Sequence, residues 1–169
     1  MATDCPSCRA ALPPGSRFCP LCHTFVSNPN VGRLASPARR LGATLMEWVL
    51  LAFAWSLAFG AAAAGGGGAL LGVLLLVGYA IWAIALFAHG TTPGKRALGL
   101  EVVHESGQPV GFFIMFVREW IGKWISGLIF GLGFLWILID KDRQAWHDKF
   151  VATYVVEKGT IPLTAVAHA

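Results

Sequence analysis

Residues 43–88 read ATLMEWVLLAFAWSLAFGAAAAGGGGALLGVLLLVGYAIWAIALFA. The 22 residues from Ala43 to Ala64 carry one charge, Glu47, and the twenty from Ala69 to Ala88 carry none. Each run is long enough to cross about 30 Å of hydrocarbon as a helix. Gly65 to Gly68 put four glycines between them, which suits a tight turn. The stretch therefore predicts a transmembrane helical hairpin, and the rest of the chain is read around it.

The charges that flank the hairpin orient it. Arg33, Arg39 and Arg40 precede the first run, while Lys95 and Arg96 follow the second. By the positive-inside rule both ends are cytoplasmic and the glycine turn lies outside, which makes the protein multi-pass with a cytoplasmic N-terminus. Composition agrees. Of 169 residues 56% are hydrophobic and 13% charged, with seven Trp and eleven Phe. That balance excludes a disordered chain and argues against an ordinary soluble domain. Thirteen Lys and Arg against nine Asp and Glu give +4. The basic residues border apolar runs instead of forming a stripe, so they read as topology signals and the partner is the lipid bilayer, not nucleic acid.

All four cysteines fall in the first 22 residues, as Cys5-Pro-Ser-Cys8 and Cys19-Pro-Leu-Cys22. Two CxxC knuckles at this separation can set four thiolates around one ion, the arrangement zinc prefers. Pro13-Pro14-Gly15 supplies a turn between them. The pattern resembles the short zinc ribbons at the N-termini of many bacterial proteins. With no apolar leader before Cys5, the reducing side is expected, which argues against two disulfides. His23 is read as a neighbour of the site, not a ligand. Four thiolates leave no open position for catalysis, so the Zn2+ is structural, or serves a partner-binding module. The organisation expected is a ribbon over 1–26, a linker over 27–38, a membrane domain over 39–158 and a flexible tail over 159–169.

Past the hairpin the chain changes character. Gly90-Thr-Thr-Pro-Gly94-Lys95-Arg96 reads as a tight loop, with Gly94 and Lys95 as its candidate functional pair; the full GxxxxGK[ST] of a nucleotide loop is absent. Leu98 to Val103 and Phe150 to Val156 read as two short strands that pair on the cytoplasmic side. The region 110–139 is apolar but interrupted by Arg118, Glu119 and Lys123. A single crossing would place Lys141, Arg143 and Lys149 outside, against the charge rule. The favoured reading is two helices, or a re-entrant pair, bent near Gly127, Gly131 and Gly133; a simple third span is the alternative. The fold class is thus an α-helical integral membrane protein: a tight hairpin, a third hydrophobic helical region, a short β pairing and a small N-terminal zinc ribbon.

Three charged groups remain to carry chemistry. Arg40 and Glu47 are seven residues apart, on one helix face, with Glu47 roughly 10 Å deeper; an acid there is a functional candidate. Asp140, Arg143, His147 and Asp148 follow the last apolar run; if helical, they put Asp140, Arg143 and His147 on one face, as a proton relay or a salt-bridged cap. Arg118 and Lys123 are read as reaching lipid headgroups, with a pairing to Glu47 as the alternative. No Ser, Cys or Thr is placed to form a hydrolytic triad, so no enzyme is expected.

Taken together, Arg40 with an acid in the first helix, Gly90 to Lys95 leading into Gly99 to Val103, Arg118, and Asp140 with Arg143 and His147-Asp148-Lys149 resemble the RDD membrane proteins from about Ala38 to Lys158. The chain departs at Glu47, where the family usually has an aspartate. Either Asp140 or Asp148 matches its second aspartate. The resemblance implies a bacterial inner-membrane protein and, as proposed for some members, transport of ions or small solutes such as sodium/proton exchange. A pathway built from two or three crossings implies homo-oligomerisation. The competing class is a non-transport anchor or adaptor whose ribbon recruits a cytoplasmic protein.

Overall fold

The computed structural model describes residues 4–128 and 131–158. The expected tail, 159–169, lies outside the described residues. The hairpin is present as α1 (Pro37–Ala63) and α2 (Gly68–Phe87). Ser36 caps α1 by accepting from the Arg39 amide at 3.3 Å, and Pro37 at the first helical position costs no hydrogen bond. The helix stops where Gly65 and Gly66 take φ of +76° and +58°, left-handed angles that favour glycine. The helices then pack closely: a Cβ at Gly72 would sit 2.5 Å from the Ala58 carbonyl oxygen. Outward-facing residues such as Trp48, Phe53, Phe59, Leu74 and Ile81 are exposed, as on helices that face lipid. By length and composition both helices can span a membrane.

The third region is a bent pair. α4 (Phe112–Phe116), a π-helical segment (Val117–Gly122) and α5 (Lys123–Leu128) form one arm. α6 (Leu132–Leu135) with the 3-10 turn Trp136–Leu138 forms the other, turned by 107°. The second arm starts at Gly131, at φ +75°, one of the glycines expected to bend it.

Three strands form an antiparallel sheet in the order β1-β3-β2: β1 (Arg33–Leu34), β2 (Leu100–His104) and β3 (Thr153–Glu157). The β2–β3 pairing matches the expected one, with Leu100 opposite Glu157 and His104 opposite Thr153. β1 is new. It lies inside the stretch read as a linker, which also holds a 3-10 turn (Pro29–Val31), and it puts Arg33 opposite Glu157. The central strand is buried on both faces, and alternation sorts its side chains. Val155 packs with Leu100, Val102, Val110, Met115 and Ala43 beneath the helices. Tyr154 and Val156 pack with Phe18, Phe25 and Leu34 of the N-terminal segment. The sheet is therefore a shared wall between the membrane helices and the cysteine module.

Candidate functional site

α7 (Trp146–Phe150) carries the most heavily bonded carboxylate, Asp148, which is fully buried. Its Oδ1 accepts from Arg118 Nε at 2.8 Å and Nη2 at 2.5 Å. Its Oδ2 accepts from Arg40 Nη1 at 2.6 Å and from the Ala145 amide at 3.1 Å. Burial alone would raise this acid, but Arg118 and Arg40 beside it hold it well below the usual carboxylate range. Arg118 also donates from Nη1 to Glu119 Oε1 at 2.5 Å, and Lys95 Nζ reaches the same oxygen at 2.7 Å. Lys123 pairs with the other Glu119 oxygen. Lys95 Nζ lies 3.4 Å from Thr92 Oγ1, whose hydroxyl donates to Glu47 Oε2 at 2.7 Å.

These contacts close a ring that leaves α1 at Arg40 and returns to it at Glu47, through Asp148, Arg118, Glu119, Lys95 and Thr92. It ties α1, α7, the π segment and the turn after α2 together at one end of the hairpin. Arg40 and Glu47 do share a helix face, but they are joined through five other residues. Arg118 does not reach for headgroups: it is 1% exposed. The reason is convergence, since two buried carboxylates solvate its charge where lipid cannot.

The expected loop at 90–96 forms a single helical turn instead, α3 (Pro93–Ala97), capped by Thr92. Gly94 is where α3 meets α1, since a Cβ there would lie 2.1 Å from the Ala43 carbonyl oxygen and 2.7 Å from the Glu47 amide. Gly94→Ala is expected to cost about 1–3 kcal/mol or more, read as a lowered melting temperature in detergent and a displaced Lys95. Lys95 is buried, which lowers its pKa to about 8 against the opposing pull of Glu119. From about 8 up to the ordinary 10.5 the unfolded chain binds more protons, so stability rises with pH in that window. Melting temperatures from pH 7.5 to 10.5 should show that rise in the parent and a flatter profile in Lys95→Met.

The Asp140 group separates. Residues 140–145 are not helical, so the expected common face does not form. Asp140 accepts from the Gln144 amide at 2.9 Å and pairs with Lys149. Arg143, at φ +50°, donates to His23 Nε2 at 2.8 Å. His147 is buried against Ser126, with Nδ1 3.2 Å from its hydroxyl oxygen. Burial, aided by Arg118, outweighs the pull of Asp148 and drives its pKa down to about 3, so the imidazole is neutral near pH 7. Thr92 escaped the sequence reading as a site residue; its signal was only the Thr-Pro of a helix start. Nε and Nη2 of Arg40 are buried with no acceptor among the described residues.

At the N-terminus the four sulfurs lie within 4.8 Å of one another, with Cys5–Cys22 and Cys8–Cys19 at 3.6 Å. Arg9 and His23, each directly after a knuckle's second cysteine, have φ of +59° and +57°. The donor set fits one metal ion held by four thiolates, with His23 outside it. Arg17 bonds Glu105 at 2.5 Å, and Phe18 packs on Tyr154 with ring centroids 4.8 Å apart, so the module is fastened to the sheet.

The model of the RDD family matches residues 34–152. Over 120 residues the chain is 26% identical to the "Uncharacterized protein YckC" of Bacillus subtilis, covering 69% of this chain and 80% of that one. It is 32% identical over 83 residues to the "Proline-rich antigen" of Mycobacterium leprae, covering 47% and 33%, respectively. To the "Proline-rich antigen homolog" of Mycobacterium tuberculosis it is 40% identical over 68 residues, covering 40% and 28%. The chain thus spans a third or less of these mycobacterial relatives. No solved structure matches.

Proposed function

The chain belongs to the RDD family, and from that premise we propose that it exchanges a small cation for protons across a bacterial inner membrane, with Glu47 as the exchanging group. The observation that carries this reading is unequal anchoring within the ring. Asp148 accepts four hydrogen bonds and Glu119 is held by three cations. Glu47, half-buried in a membrane-spanning helix, accepts one, from a hydroxyl, among the described residues. A carboxylate and a hydroxyl are oxygen donors of the kind a hard cation takes. The exchange balances: the cation displaces the carboxyl proton to the side from which the cation came, and a proton taken up from the other side then displaces the cation there. Lys95, at about 8, is a second group able to move a proton close to neutral pH. Several copies complete the pathway, the metal is a structural Zn2+ in a cytoplasmic ribbon, and no catalysis is assigned. Sodium or potassium pulses on the purified protein in weakly buffered detergent test the site: a saturable proton release is expected from the parent, and none from Glu47→Gln. Equal release from both removes Glu47 from the site.

A second reading, a membrane adaptor, is favoured by one feature. Leu21, at the tip of the second knuckle, is 74% exposed, an apolar contact offered to a cytoplasmic partner. On that reading Cys5→Ser abolishes partner capture and Glu47→Gln leaves it intact.

A further inference from the structure

A cavity of about 480 Å³ lies between the cysteine module and the start of the membrane domain. Its polar wall is made by His23, Arg33, Ser36 and Arg143, with Cys8 and Cys22 on the module side. The four residues of the polar wall come from four separate places: the second knuckle, strand β1, the cap of α1 and the loop before α7. One carboxylate, Glu157, also borders it. That acid already bonds Arg39 at 2.9 Å and stands opposite Arg33 in the sheet, so it is engaged by the strand and the helix beside it. Arg143 donates to an imidazole, and to no carboxylate among the described residues.

Backbone geometry singles out Arg143. His23 takes φ +57° as Arg9 does after the first knuckle, while Arg143, outside any knuckle, takes φ +50° where it reaches the His23 imidazole. Such angles persist only where the surroundings enforce them, and they cluster at ligand sites. We propose that this cavity binds a phosphate group, carried by an anionic lipid headgroup or by a free phosphate. Guanidinium forks match phosphate oxygens, and donors that converge from several directions suit a tetrahedral, multiply charged acceptor better than a flat carboxylate. The position fits both sources, because Ser36 opens the helix that enters the bilayer.

The competing use of Arg143 is to offset negative charge on metal-bound thiolates, and one experiment separates the two. The full-length, metal-loaded protein in uncharged detergent is titrated with phosphatidylglycerol, and separately with inorganic phosphate, under native mass spectrometry. The same spectra report whether the metal is retained. The expected result is one adduct of at least one probe on the parent, weakened about tenfold or more by Arg143→Gln, partly restored in Arg143→Lys and unchanged in the exposed control Arg9→Gln. The stronger probe identifies the source. No saturable adduct on the parent overturns the proposal. Equal binding by parent and Arg143→Gln overturns it too, and loss of metal alone in that variant assigns Arg143 to the thiolates. Arg33→Gln, made beside it, keeps the test open if Arg143→Gln does not fold.

Discussion

Removing the metal from the four-thiol cluster is expected to unfold residues 4–26 and to release β1 from β3. The module has little else to hold it. Its core is Phe18 and Phe25, which reach their burial only by packing on Leu34, Tyr154 and Val156 of the sheet. A knuckle pair this small gains most of its folding free energy from the ion, about 10–16 kcal/mol in zinc-finger peptides. β1 depends on it directly, since the Leu34 amide donates to the His23 carbonyl at 2.8 Å. Amide exchange measured before and after chelation, and in Cys19→Ser, should lose protection at the Cys19, His23 and Leu34 amides. The amides of α1 and α2 should stay protected. Retained protection at Leu34 in a chain shown to be metal-free would mean that the aromatic contacts alone fold the module.

Asp148→Asn is expected to be the most damaging isosteric change in the ring. It preserves volume but leaves Arg118 and Arg40 buried around a neutral amide, and one-sided loss of a buried pair costs about 3–5 kcal/mol. The amide keeps one acceptor oxygen of the two, so it cannot serve both Arg118 on one side and Arg40 with the Ala145 amide on the other. The pH signature has a definite sign. The folded acid titrates well below its ordinary 3.8. Its contribution is therefore present above that value and is lost only as pH falls through the lower folded value. Between pH 7 and 4 the parent should lose none of its melting temperature through this group, while the variant melts lower throughout. An unchanged melting temperature would show that Arg40 and Arg118 find other acceptors.

How much of this was legible depends on how local each signal is. The hairpin is written in two long uncharged runs, and the thiol cluster in two knuckles whose spacing alone brings four sulfurs together. The β2–β3 pairing was legible from β-branched runs at both ends of the membrane domain. β1 was not, because Arg33 and Leu34 are two residues with no period, ordered by β3 on one side and by the His23 carbonyl on the other. The ring was half legible. Glu47 is conspicuous as an acid in an apolar helix, and Arg118 as a base within an apolar region. That Arg118 is buried, and that Asp148 and not Asp140 is its partner, follows from three distant segments converging, which spacing does not encode. Nor does sequence show that residues 140–145 leave the helix and send Arg143 toward His23.

The exchange of protons for a cation at Glu47 is the proposed function. It is tested most directly by proton flux driven by a sodium or potassium gradient in proteoliposomes of the metal-loaded protein, with Glu47→Gln and Glu47→Asp beside the parent. Flux in the parent, none in Glu47→Gln at unchanged melting temperature, and partial flux in Glu47→Asp is the expected result. Parent flux no greater than that of empty liposomes, or undiminished flux in Glu47→Gln, would contradict it.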